Sequence, residues 1–179
     1  MLWTVAFDRL GVVISDLYFV DPAIDQGGDG AERGVRLELR IFERDPLKGS
    51  VYSAAPIRID RPIWRLDLLE TTDSEPGSLN RAHHHPRFVG WDPGNRVFDE
   101  ELSADPVRWV EGRLKDVPGL LADARVEPDD LGATDAEQLE AAAPMILATL
   151  DHLLGEVAAG RAGLAPEGTA GDFVRQSWL

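Results

Sequence analysis

The chain reads as an α+β fold, an antiparallel β-sheet from the N-terminal half covered by a helical layer from the C-terminal half. Three observations predict it. Residues up to about 90 alternate apolar and polar side chains at a period of two, residues from about 105 to 159 repeat apolar side chains at a helical period, and turn residues cut the first half into short reversing segments. The 179 residues then make one domain over 1–159, followed by a Gly/Ala/Pro-rich tail over 160–179 with an aromatic end.

Trp3, Val5 and Phe7 alternate, and Gly11 to Val20 is β-branched and aromatic. Val35, Leu37, Leu39 and Ile41 alternate with Arg36, Glu38 and Arg40, the period of a half-buried strand. Asp21-Pro22, Gln26 to Gly30 and Asp45 to Gly49 mark the reversals. A strand pair follows, Val51 to Ile59 and Ile63 to Glu70, broken at Arg61-Pro62 because proline cannot donate to a ladder. The polar connection Thr71 to Asn80 leads to a return strand from Arg81 to Val89. With Leu37, Leu39, Ile57, Ile59, Trp64, Leu66 and Leu68 inward, the opposite face carries Arg36, Glu38, Arg40, Arg58, Asp60, Arg65 and Asp67. That lattice of alternating charge reads as a solvated face laced with ion pairs. The functional alternative is a groove in which Arg36, Arg40, Arg58 and Arg65 bind an anion such as a phosphodiester.

In the second half, Asp105-Pro106 places an N-cap before a proline at the first helical position, and Val107, Val110 and Leu114 share one stripe. Pro118 starts a short second helix through Ala124. Thr134-Asp135-Ala136-Glu137 matches a capping box and opens a third helix carrying Leu139, Ala142, Ile146, Leu150, Leu153 and Val157. Pro144 inside it predicts a kink or two abutting helices.

With 44% hydrophobic residues a core is available, and no apolar run approaches the roughly 20 residues of a membrane span. Met1 to Asp8 lacks the features of a secretory signal, and the absence of cysteine excludes disulfides, thiolate metal sites and cysteine nucleophiles. The expectation is a cytoplasmic protein of bacterial type with no membrane contact. A net charge of -14 argues against nucleic acid as a partner. The charge is segregated, however: residues 33–65 hold eight basic and four acidic side chains, whereas residues 104–179 hold six and fourteen. The middle strands therefore keep nucleic acid open.

Three of the four histidines lie in the run Arg81-Ala82-His83-His84-His85-Pro86. On an extended strand His83 and His85 share one face and His84 takes the other. In a hairpin closed by residues 71–80 the partner numbers sum to about 150 to 152, so Asp67 faces one of the three histidines and the register decides which. A carboxylate beside two imidazoles suits a general base with a fixed tautomer, or a site for a divalent transition metal such as zinc, manganese or iron. His83, His85 and Asp67 are thus the candidate catalytic or metal-ligating residues, and Asp99, Glu100 and Glu101 are candidate extra ligands. Arg65, Arg81 and Arg87 are candidate substrate-binding residues. The plain alternative is a polar sheet face with no cofactor.

The segments Trp64-Arg65-Leu66-Asp67-Leu68-Leu69-Glu70, Arg81 to Phe88, Arg96-Val97-Phe98 and Leu102 to Trp109 resemble a family of uncharacterised actinobacterial proteins over about residues 60–125. More distantly, an Arg-x-Asp strand followed by a histidine cluster is similar to the TumE-type toxins, small α+β proteins that act on RNA. That resemblance implies a nuclease-like activity at His83, His85 and Asp67. The chain departs from the toxin pattern in lacking a later second histidine cluster, in its length and in its acidity. Two readings follow. One is a binding or interaction protein, in which the acidic helices and the tail residues Phe173 and Trp178 mediate homodimerisation or contact with a protein partner. The other is a histidine-based, metal-dependent hydrolase acting on a phosphodiester or other anionic substrate.

Overall fold

A computed structural model of the chain describes residues 1–20, 30–165 and 175–176. The strands are β1 (Leu2–Ala6), β2 (Leu10–Val20), β3 (Ala31–Arg44), β4 (Ile57–Thr71), β5 (His83–His85) and β6 (Arg175–Gln176). The helices are α1 (Glu100–Ala104), α2 (Pro106–Leu114), α3 (Val117–Asp123) and α4 (Asp135–Ala158), with a 3-10 turn at Pro128–Asp130. The antiparallel sheet has the order β1-β2-β3-β4-β5, and β6 pairs with β2 at Leu17 and Tyr18, beyond the Ser15 where the pairing with β1 stops. The expected α+β architecture is present.

The pairing register brings apolar residues into rows. Ile14 lies beside Leu37 and Leu37 beside Leu66; Val12 lies beside Leu39 and Leu39 beside Trp64. All are buried, and α2, α3 and α4 cover them with Val110, Leu114, Leu120, Leu139, Ile146, Leu150 and Leu153. Removing such a side chain from water contributes roughly 1.5–3 kcal/mol, so these rows fix both the register and the seat of the helical layer.

Several expectations need correction. Residues 51–56 form turn and loop, and β4 runs unbroken through Pro62. The register shifts between Leu39, Arg40 and Phe42 absorb the proline as a bulge. Past the bulge Ile59 pairs with Phe42 and Ile57 with Arg44, which turns both isoleucines away from the core and leaves them 44% and 61% exposed. The return strand shrinks to His83–His85, since Pro86 has no N–H to continue the ladder.

Among the helices, α2 has the predicted Asp105 cap, whose carboxylate accepts from the Arg108 N–H. α3 starts one residue earlier than expected and α1 was not foreseen. α4 is one continuous helix through Pro144, which is exposed, as is Glu140 one turn earlier, so water reaches the backbone carbonyl the proline leaves unbonded. The capping box does not form: the Thr134 side chain makes no cap bond, and the fully buried Asp135 carboxylate instead accepts from the backbone N–H of Asp8, Arg9 and Gly132. That one side chain ties the start of α4 to the β1–β2 turn. By length and composition α4 is apolar enough to cross a membrane, yet its stripe of Leu139, Ile146, Leu150 and Leu153 is the lid of the core. The turn at Asp21-Pro22 and the tail residues Phe173 and Trp178 lie outside the described residues.

Candidate metal centre

β5 pairs with β4 so that Asp67 lies opposite His83, Leu66 opposite His84 and Arg65 opposite His85. Of the registers open to the hairpin, this one puts the Asp67 carboxylate on the face shared by His83 and His85. His84 points the other way, into the core, with its ring 5.0 Å from that of Trp109, and its Nδ1 is buried without a hydrogen-bond partner. β5 is held from its outer side by a reciprocal pair of 2.9 Å bonds between the backbones of His84 and Val97. Both edges of this three-residue strand are therefore anchored.

The imidazoles are aimed by backbone carbonyls. His83 Nδ1 donates to the Arg81 carbonyl at 2.7 Å and His85 Nδ1 to the Pro93 carbonyl at 3.2 Å. A carbonyl only accepts, so in each neutral ring the proton sits on Nδ1 and Nε2 carries the lone pair. Both Nε2 atoms face the same carboxylate oxygen, Asp67 Oδ2, at 3.5 and 3.7 Å. The three candidate ligand atoms all lie within 4.8 Å of one another. Donors around a tetrahedral zinc, with bonds of about 2.0–2.1 Å, stand about 3.3 Å apart, so small adjustments would close the triangle on an ion.

Asp67 is 2% exposed, His83 1% and His85 5%. Burial works against the Asp67 charge, but Arg36 outweighs it: its Nε donates to Oδ1 at 2.6 Å and its Nη2 to Oδ2 at 3.1 Å. Together with the nearby Arg65 charge, Arg36 holds the Asp67 carboxyl well below the usual carboxylate range. His85 is pushed down to about 4, chiefly by burial, with Asp67 opposing and His83 and Arg65 assisting. Burial and the Arg113 charge likewise lower His84. His85 is therefore neutral near pH 7, the form in which imidazole ligates a metal.

The charged face of the sheet is buried, contrary to the solvated lattice expected. Glu32, Glu38 and Asp67 are each nearly inaccessible. Arg81 and Arg96 reach Glu32, Arg36 holds Asp67, and Arg40 and Arg65 hold Glu38. The cover comes from residues 86–98, which lay Phe88 over Arg65, Trp91 over Arg40 and Phe98 over Arg81 at 5.0 to 5.8 Å. Sequence reasoning did not place these three rings over the arginines, because their spacing matches no strand or helix period, and Trp91, expected in the core, is 63% exposed. Five arginines and three carboxylates leave this face positive within a strongly acidic chain.

The remaining predicted residues are placed as follows. Arg65 and Arg81 are engaged with Glu38 and Glu32. Arg87 is exposed, with no ion pair among the described residues. Arg58 is away from the cluster, paired with Glu43 and Asp45 on the surface. Asp99 caps α1 and accepts from Trp109 Nε1 at 2.9 Å, and Glu100 and Glu101 are exposed, so none of the three joins Asp67, His83 and His85. A cleft of about 830 Å³ between α1, α2 and α3, lined by Asp99, Glu101, Asp105, Trp109, Arg113 and Asp116, lies on the other side of β5. No family model, curated protein or solved structure matches the chain.

Proposed function

We propose that the protein is a metal-binding protein that holds one divalent transition ion through Nε2 of His83, Nε2 of His85 and Oδ2 of Asp67. One observation carries the reading: two imidazoles whose Nδ1 protons are committed to backbone carbonyls turn both Nε2 lone pairs toward a single carboxylate oxygen. Without an ion, lone pairs face an anion in a dry site; with one, each becomes a ligand. The backbone carbonyls of Arg81 and Pro93 then act as the outer partners that orient metal-bound histidines. Two imidazoles and a carboxylate suit zinc, iron or manganese, and leave at least one coordination position for water or another donor.

The burial of all three ligands supports retention of an ion more than turnover of a large substrate. Untagged protein is expected to purify with close to one equivalent of a transition metal by elemental analysis. Chelation should lower the melting temperature by several degrees and zinc should restore it, while a His83→Ala/His85→Ala variant shows no response. Metal-free protein whose melting point ignores zinc, manganese and iron overturns the reading.

A second reading, a metal-dependent hydrolase acting on a phosphodiester, is favoured by the arginine surplus and by the three aromatic rings stacked on Arg40, Arg65 and Arg81. It requires residues 86–98 to open. Cleavage of single-stranded RNA by metal-loaded protein, lost in His83→Ala, is its expected outcome; intact RNA refutes it.

A further inference from the structure

Among the described residues the sheet leaves one edge open. β1 is the outermost strand on its side, paired with β2 from Leu2 to Ala6, and no described residue pairs with its outer edge. Unsatisfied edge N–H and C=O groups recruit another strand, and proteins that remain monomeric guard such edges with lysine, proline or a bulge. Leu2-Trp3-Thr4-Val5-Ala6 carries none of these.

Beside this edge runs a groove of about 360 Å³ lined by Leu2, Trp3, Met145, Ala148 and His152, among others. Ala141, Met145, Ala148 and His152 follow one another at four, three and four residues, which makes them one exposed stripe along α4. Residues 1–7 and residues 141–150 contain no charged side chain, in a chain that is 28% charged with a net charge of -14. The open backbone edge and the neutral stripe therefore lie side by side.

We propose that β1 and the neutral stripe of α4 form the interface of a homodimer in which β1 pairs antiparallel with β1 of a second copy. A second copy brings the same acidic charge, and the repulsion between copies is least where neither surface carries any. The strip is also self-complementary. A two-fold axis at Thr4, the middle residue of the strand, sets Trp3 of each copy opposite Val5 of the other. Both residues are half-buried and stand on the helix side of the sheet, beside Ile14 and Val12. The sheet becomes continuous across the axis, and the two α4 stripes meet above it.

The test is the mass of the full chain in solution by light scattering over a range of concentrations, for the wild type and for Thr4→Lys and Met145→Glu. Both substituted side chains are exposed, so the variants are expected to keep the wild-type circular dichroism. Thr4→Lys places two like charges across the axis and Met145→Glu puts an acid in the stripe. The expected result is a wild-type dimer that becomes monomeric, or at least tenfold weaker in association, in each variant. A wild type that stays monomeric at every concentration, or a dimer that neither substitution weakens, overturns the proposal.

Discussion

Asp67 is held by Arg36 and faced by the Nε2 atoms of His83 and His85, and removing its charge has consequences in two directions. Asp67→Asn leaves the buried Arg36 guanidinium without its counter-charge and should cost about 3–5 kcal/mol by denaturant unfolding, as breaking one side of a buried pair does. It also removes one of the three proposed ligands, so zinc should no longer protect the variant. The histidines set a pH dependence of their own. His85 titrates near 4 when folded, against an ordinary value of 6.5. The unfolded chain therefore binds the extra proton between those values, and stability present above pH 6.5 is lost as the pH falls toward 4. His84 shifts in the same direction. Asp67, held below the carboxylate range, adds to this loss only as the pH nears the ordinary carboxyl value of 3.8. In chelator-treated protein the unfolding free energy should fall by on the order of 2 kcal/mol from pH 7 to pH 4.5. The same titration of His85→Asn should be flatter.

At the scale of the elements, the join between β3 and β4 is the most demanding. The Cβ of any other residue at Gly34 would land on the Leu68 carbonyl oxygen, a backbone atom with nowhere to move. Gly34→Ala should cost at least about 1–3 kcal/mol in denaturant midpoint experiments. Gly112→Ala, on α2 in open space, should be neutral or slightly stabilising. The core strands were legible because Val35, Leu37 and Leu39 alternate cleanly and the α4 residues repeat at a helical period. The pairing of Asp67 with the histidine strand was legible only as a small set of registers, since the ten residues 71–80 allow a slip. Strand continuity through Pro62 was not legible: a proline signals a break, and the bulge that absorbs it depends on the neighbouring strand. The cap at Asp135 was missed for a related reason. Its partners at Asp8 and Arg9 are more than 120 residues away, and no local motif encodes them.

Over the whole molecule, charge is sorted by layer. The positive middle strands, expected from residues 33–65, form one face, where residues 86–98 bury three acids and the proposed ligands beneath aromatic rings. Residues 104–179, which supply most of the helices on the opposite face, hold fourteen acidic and six basic side chains. Sequence composition alone gave the sorting but not the burial, because the cover is an irregular segment. That burial separates a solvated lattice of ion pairs from a dry cluster with two oriented lone pairs. Calorimetric titration of zinc into untagged, chelator-treated protein tests this account most directly. The account predicts a single site of one ion per chain, lost in His83→Ala and in His85→Ala while both variants stay folded. The absence of a binding isotherm in the wild type, or an isotherm unchanged in both variants, would contradict it.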